Sequence, residues 1–272
     1  MTKALRVICL VLLVILLAVG GLTLYKINKP QEGESTPEQT AEPTPTPETT
    51  PETTPEPTPE PTPTPEPEPY GESDPVFYDT NSYLIVANKK HRLPEGYEPA
   101  DLVQPNVITR YGDWQMRQEA ATAIEQMFAA AEQEGVTLVL GSGYRSEDLQ
   151  AYFYNGYVAN RGKEYADTIS SRPGYSDHQT GLATDLCGVS DTSTDLSRSF
   201  EDTVEGAWLR DHAHEYGFIM RYPKDKEDIT GYAYEPWHFR YIGVEYATKI
   251  YNRDVFYTFE EYFGIEGGDY AD

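Results

Sequence analysis

Apolar and polar positions along the 272-residue chain fall into three regimes. Residues 7–24 form a run of 18 without a charge, with Lys3 and Arg6 before it and Lys26 after it. A bilayer crossing takes about 20 apolar residues, so the run is just long enough for one. The competing reading is a cleaved signal peptide. No Ala-x-Ala-like site is apparent, although Ala18-Val19-Gly20-Gly21 offers small residues, and Cys9 sits at the wrong end of the run for a lipidated cysteine. Residues 1–29 are therefore read as a cytoplasmic tip and an uncleaved transmembrane signal anchor, with everything after Lys26 on the outer side.

The second regime, residues 30–73, has almost nothing to bury. Residues 30–69 hold 14 of the chain's 21 prolines, in repeats such as Glu-Pro-Thr-Pro. Proline removes backbone donors and blocks helix, and glutamate repels itself, so the segment reads as an extended, disordered linker of polyproline character.

From residue 74 to the end the pattern is that of one folded domain. Met116, Ala120, Ala123, Ile124, Met127, Phe128 and Ala131 recur at three- and four-residue steps. They predict a helix capped by Asp113 and ended by Gly135. Residues 136–140 read as a buried strand leading into a turn at Gly141-Ser142-Gly143, and Ser146 caps a second helix to about Asn160. Further strands are expected at 182–187, 218–222 and 237–241, and further helices at 200–216 and 244–252. Thr258 with Glu261 makes a capping box. Residues 75–110 are expected to pack on the core and shape a cleft. Helices and strands mix without βαβ alternation, so the expected class is α+β, a small central antiparallel sheet with flanking helices.

Net charge is −24, and eleven glutamates lie in residues 30–72 with no basic residue among them. The remainder stays strongly acidic, which repels phosphate backbones and counts against nucleic acid as a partner. The two cysteines, Cys9 in the apolar run and Cys187 in the folded part, are badly placed to join, and they leave the redox compartment open.

Two short segments carry candidate chemistry. One is Ser176-Asp177-His178-Gln179-Thr180-Gly181-Leu182-Ala183-Thr184-Asp185, the other Glu235-Pro236-Trp237-His238. His178, Asp185 and His238 offer two imidazoles and a carboxylate, a three-ligand set that leaves a zinc ion a position for water. Glu235, three residues before His238, is placed to take that water's proton. Gly181 permits the tight turn by which His178 and Asp185 converge. Alternation puts His238 and Arg240 on one face of their strand and Trp237, Phe239 and Tyr241 on the other. The plainer reading of a His–carboxylate pair is a satisfied hydrogen bond, and spacing alone does not choose between the two.

Other candidates have plainer readings. His212 and His214, two apart on one helix, face different ways. His91 lies in Lys89-Lys90-His91-Arg92, read as a solvated basic patch. Cys187 shares a strand face with Asp185 but reads as a small buried thiol. No Gly-x-Ser-x-Gly elbow supports a serine hydrolase.

Residues of about 138–264 resemble the VanY-type D-alanyl-D-alanine carboxypeptidases, within a wider group that includes lysostaphin-like peptidases and the hedgehog signalling domain. Five stretches carry the likeness in order. They are Ser142-Gly143-Tyr144-Arg145-Ser146, Arg172-Pro173-Gly174-Tyr175-Ser176 running on through Ala183 with Asp185, Tyr216-Gly217-Phe218-Ile219-Met220-Arg221-Tyr222-Pro223, Thr230-Gly231-Tyr232, and Glu235 to Tyr241. The resemblance implies Zn2+ on His178, Asp185 and His238, with Glu235 as the catalytic base. It also implies Arg145 as a clamp for a peptide's terminal carboxylate or for the oxyanion. Gln150, Ser176, Tyr222 and Trp237 match substrate-contacting positions, although buried Tyr and Trp commonly just fill cores. The implied substrate is a peptidoglycan stem peptide, cut outside the cell by a membrane-anchored enzyme. L,D-carboxypeptidase action on tetrapeptide stems and a non-catalytic wall-binding or signalling module are the alternatives.

Overall fold

The computed structural model of the protein describes residues 71–271, so the expected anchor at 7–24 and nearly all of the 30–73 linker lie outside the described residues. Among the described residues no helix is long and apolar enough to cross a membrane.

Strands β1 (Leu102–Val103) and β2 (Met116–Arg117) form a small antiparallel ladder, and helix α1 (Gln118–Gln133) follows directly. All seven of the apolar positions that predicted this helix are buried. Its start is two residues later than Met116, and Asp113 does not cap it. Instead Arg117 donates its N–H to the Gly181 carbonyl (2.8 Å), and the Gln118 N–H goes to the Asp101 carbonyl (2.9 Å). A backbone ladder thus supplies the partners that a capping side chain would otherwise give. Glu134 closes the helix and Gly135 turns the chain away at φ 78°.

Strand β3 (Leu138–Ser142) starts and ends two residues later than the predicted strand, reaching into the expected turn as far as Ser142. Gly141 is the extra residue of a bulge there, between the Leu140–Leu186 and Ser142–Asp185 pairs. A Cβ on Gly141 would stand 2.7 Å from Cys187 Sγ and 3.2 Å from the Asp185 carbonyl, so glycine lets the two strands close up. Helix α2 (Glu147–Arg161) is capped by Ser146 Oγ, which accepts from the Leu149 N–H, and α3 (Lys163–Ile169) follows it.

Strand β4 (Ala183–Gly188) pairs antiparallel with β3. The single helix expected over 200–216 is three pieces: a 3-10 segment (Arg198–Asp202), helix α4 (Val204–His212) and a second 3-10 segment (Ala213–Tyr216). Thr203 breaks it by capping α4 through the Gly206 N–H, and a Cβ on Gly206 would collide with the Phe200 carbonyl, so glycine allows the close packing at this break. Strand β5 (Phe218–Met220), the one-turn helix α5 (Glu227–Thr230), strand β6 (His238–Tyr241), helix α6 (Val244–Arg253) and helix α7 (Phe259–Phe263) complete the chain. The Thr258–Glu261 capping box is present at α7.

The central sheet has the order β3-β4-β6-β5, antiparallel throughout, and every residue of its four strands is buried. One core joins it to α1 and α4 through Ile124, Met127, Leu140, Leu186, Leu209 and Phe239. Each such side chain contributes about 1.5–3 kcal/mol by burial. A second core packs Phe77, Leu84 and Val86 against Ile250, Phe259 and Phe263. Residues 75–110 therefore do cover the core, as expected. None of them lines the cleft described below. The fold is α+β, with small antiparallel sheets flanked by helices.

The expected solvated basic patch at 89–92 is a correction. Lys89 is buried, its ammonium 3.0 Å from Asp269 and 4.7 Å from the Tyr232 ring centre. His91 is bound to Asn88 Oδ1 (2.9 Å) and lies 3.2 Å from Glu72. Aromatic rings and acidic partners take up charges that the local sequence presents as free.

Candidate active site

Strand register builds the site. Asp185 on β4 stands opposite His238 on β6 and, on its other side, opposite Ser142 on β3, so one row across the sheet carries all three. His178 reaches the row from a 3-10 turn (Asp177–Thr180), which Gly181 ends in the left-handed region at φ 68°. His178 Nδ1 lies 2.9 Å from the Gly143 carbonyl, which can only accept, so Nδ1 carries the proton. That leaves the Nε2 lone pair facing Asp185 Oδ2 at 3.3 Å. His238 presents Nδ1 to Asp185 Oδ1 at 3.0 Å. One ligand atom from each of His178, Asp185 and His238 falls within 4.8 Å of the others, and all three residues are buried. Two imidazoles and a carboxylate converging on one point fit a hydrolytic zinc site.

Glu235 lies in the loop before β6, its Oε2 3.7 Å from His238 Nδ1. Its N–H is held by the Tyr222 carbonyl (3.0 Å), and its own carbonyl accepts from the His238 N–H (3.1 Å). Burial pushes its carboxyl up to about 7; His238 and Arg145 oppose the rise and Asp185 adds to it. Burial and the Arg145 charge push His178 down, which keeps it a neutral ligand. Asp185 is held well below the carboxylate range, because His178 and His238 outweigh the cost of burying it. His238, despite burial, is pushed up to about 9 by Asp177 and Asp185, so a metal arriving there displaces a proton.

A cavity of about 520 Å³ opens over this group. Every residue proposed from the sequence borders it: Arg145, Gln150, Ser176, His178, Asp185, Tyr222, Glu235, Trp237 and His238. Arg145 sits just past the β3 bulge. It donates from Nη1 to Gln150 Oε1 (3.1 Å) and from Nη2 to Ser142 Oγ (3.0 Å) and, more weakly, Asp185 Oδ2 (3.4 Å). Its buried Nε has no partner among the described residues. Gln150 in turn donates to Ser170 Oγ (3.1 Å) and the Ser171 carbonyl (2.7 Å). The Tyr222 ring packs 4.8 Å from that of His238, and burial, with Asp177 beside it, keeps its hydroxyl protonated. Trp237 is half-buried, one side on the core and one on the cavity.

Alternation in β6 holds as expected: Phe239 and Tyr241 join the core, while His238 and Arg240 face Asp177. Cys187 is a buried thiol outside the ligand group, pushed up to about 12 by burial and Asp195. His212 stacks on Trp208 (4.9 Å) and His214 on Tyr251 (3.8 Å), two separate surfaces. Sequence reasoning missed the other cavity walls. Phe153 and Tyr157 lie three and seven residues after Gln150, a helical spacing that could have placed them on its face. Tyr111, Trp114 and Ser170 come from loops and carry no such signal.

A profile of the VanY family, described as D-alanyl-D-alanine carboxypeptidase, matches residues 113–244. YodJ of Bacillus subtilis is 45% identical over 184 residues, which is 66% of this chain and 66% of YodJ. Among solved structures, the LdcB LD-carboxypeptidase is 43% identical with a TM-score of 0.64, over 69% of this chain and 89% of that one. A variant of the vancomycin-resistance D,D-pentapeptidase VanY, in complex with Zn(II), is 32% identical with a TM-score of 0.56, over 66% of this chain and 98% of that one. With this extent of match and all five motifs gathered around one cavity, the chain belongs to the VanY family of D-alanyl-D-alanine carboxypeptidases.

Proposed function

We propose that this protein is a zinc-dependent carboxypeptidase that removes the terminal D-alanine of peptidoglycan stem peptides, with D,D-specificity. The observation that carries the reading is Glu235. A carboxylate with a raised pKa, 3.7 Å from a ligand nitrogen and open to the same cavity, is what peptide hydrolysis needs and what a binding module does not. His178 Nε2, Asp185 and His238 Nδ1 would hold the zinc ion, which supplies Lewis acidity and an acidified water when bound. Glu235 takes the proton of the attacking water and returns it to the leaving amine. Arg145, positioned by Gln150 and Ser142 on the cavity wall, offers its guanidinium charge to an anionic group of the substrate, whether the terminal carboxylate or the developing oxyanion. Ser176, Tyr222 and Trp237 form the walls that seat the peptide.

Glu235→Gln keeps the shape of the site and removes the base. It should bind zinc as the parent does and lose turnover; retained turnover would sink the assignment. A second reading keeps the chemistry and changes the residue before the cut. The higher identity to the LdcB LD-carboxypeptidase favours L,D-cleavage of tetrapeptide stems. Mass spectrometry of products from penta- and tetrapeptide stems separates the two, since each reading predicts cleavage of one stem and sparing of the other. The anchor at 7–24 and the linker at 30–73 fit a single-pass membrane protein with this domain on the wall side. Protease accessibility on intact cells tests that placement.

A further inference from the structure

Asp177 has no role in the chemistry above, yet it is buried against His238. Its Oδ2 lies 3.6 Å from His238 Nε2, the ring nitrogen turned away from the other ligands. Both atoms are buried and neither has a hydrogen-bond partner among the described residues. Oδ1 is taken by Arg240 Nη1, and Arg221 Nε stands 3.7 Å from Oδ2. Those two guanidiniums are themselves fixed. Arg240 donates to the carbonyls of Tyr83 (3.0 Å), Ile85 (2.7 Å) and Tyr241 (3.0 Å). Arg221 makes a two-point bond to Glu260 (2.8 and 2.6 Å), and Glu260 also accepts from Asn88 Nδ2 (3.0 Å). Two buried carboxylates balance two buried arginines, and the set ties the metal row to α7 and to the segment at 83–88.

Resting on the metal-site reading above, we infer that Asp177 is the positioning residue for His238, accepting Nε2–H so that the Nδ1 lone pair faces the metal. A histidine that ligates through Nδ1 must carry its proton on Nε2, and Asp177 Oδ2 is the acceptor aimed at that atom. Arg240 and Arg221 keep the carboxylate from turning away. His178 has the opposite arrangement, with Nδ1–H on the Gly143 carbonyl and Nε2 toward the site.

The test uses the full-length protein loaded with Zn2+. Long-range 1H–15N correlation should show His238 protonated at Nε2 and His178 protonated at Nδ1, two metal-bound rings of opposite tautomer. Asp177→Ala and Asp177→Asn should weaken Zn2+ binding about 10- to 100-fold in chelator competition. Melting of the metal-free variants distinguishes lost ligation from lost folding. The wild-type tautomer reading stands even if neither variant folds. His238 protonated at Nδ1, or Asp177→Ala holding Zn2+ as tightly as the parent, overturns the inference alone. A wild-type protein that takes up no Zn2+ overturns the metal site and the inference together.

Discussion

Gly141→Ala probes the closest approach between the strands that carry the site. Its Cβ would lie 2.7 Å from Cys187 Sγ and 3.2 Å from the Asp185 carbonyl oxygen. Ordinary non-bonded contact begins near 3.5 Å, so the thiol must give by about 0.8 Å in a fully buried strand pair. Overpacking of this kind costs about 1–3 kcal/mol, roughly 5- to 150-fold in the folding equilibrium. Cys187→Ala removes the obstructing sulfur at about 1 kcal/mol of lost burial. It should rescue much of the Gly141→Ala loss, giving a coupling of about 1 kcal/mol or more between the two positions. The assay is urea unfolding of the parent, both single variants and the double variant, with m-values checked for constancy. Because Asp185 is on the displaced strand, Gly141→Ala should also weaken zinc binding, and the double variant should recover part of it. Strict additivity of the two substitutions would refute the reasoning, since the sulfur would then not be what demands glycine.

Arg145→Ala should cost kcat/KM about 1.5–3 kcal/mol, roughly 10- to 150-fold, if one charge-assisted hydrogen bond is lost. Comparing peptide acids with peptide amides then identifies its partner. A carboxylate clamp predicts that the variant no longer prefers the acid, an oxyanion donor predicts a kcat loss with the preference kept, and an unchanged kcat/KM would remove Arg145 from the mechanism. Burial alone would raise Glu205, but the Ser190 hydroxyl and the N–H groups of Ser190 and Val189 hold it below its ordinary value. Its folded pKa is therefore depressed, so its stabilisation is present above the ordinary glutamate range and is lost as pH falls through the folded value. Urea midpoints across an acid series should show the Glu205→Gln deficit shrinking toward low pH; a pH-independent deficit would contradict this. Chelating the metal should lower the melting temperature, and Zn2+ at 100-fold over its Kd should restore about 2.7 kcal/mol. Coincident melts with and without Zn2+ would count against a resident ion.

Much of the helical framework was legible because it is local. The apolar spacing of α1, the Ser146 cap and the Thr258–Glu261 box depend on neighbours a few residues away, and each is where the pattern puts it. Errors arose where a distant segment supplied the partner. The start of α1 is set by the carbonyls of Asp101 and Gly181, and Gly141 and Ser142 of the expected turn are strand because β4 pairs alongside them. Thr203, a local cap, divides the expected 200–216 helix.

The site divides in the same way. By itself the sequence determined which residue types were available: the spacing of His178, Asp185, Glu235 and His238 proposes a metal and a base, and the ordered motifs name the family. Only the tertiary structure decided which nitrogen each histidine offers. The Gly143 carbonyl bound by His178 Nδ1 and the Asp177 carboxylate opposite His238 Nε2 both come from other segments of the chain. It also decided that Lys89, Arg221 and Arg240 are buried structural cations rather than surface charge. Burial and partner geometry are properties of the assembled core, where a charge survives only beside its counter-charge. No pattern along the chain records which distant carboxylate that will be.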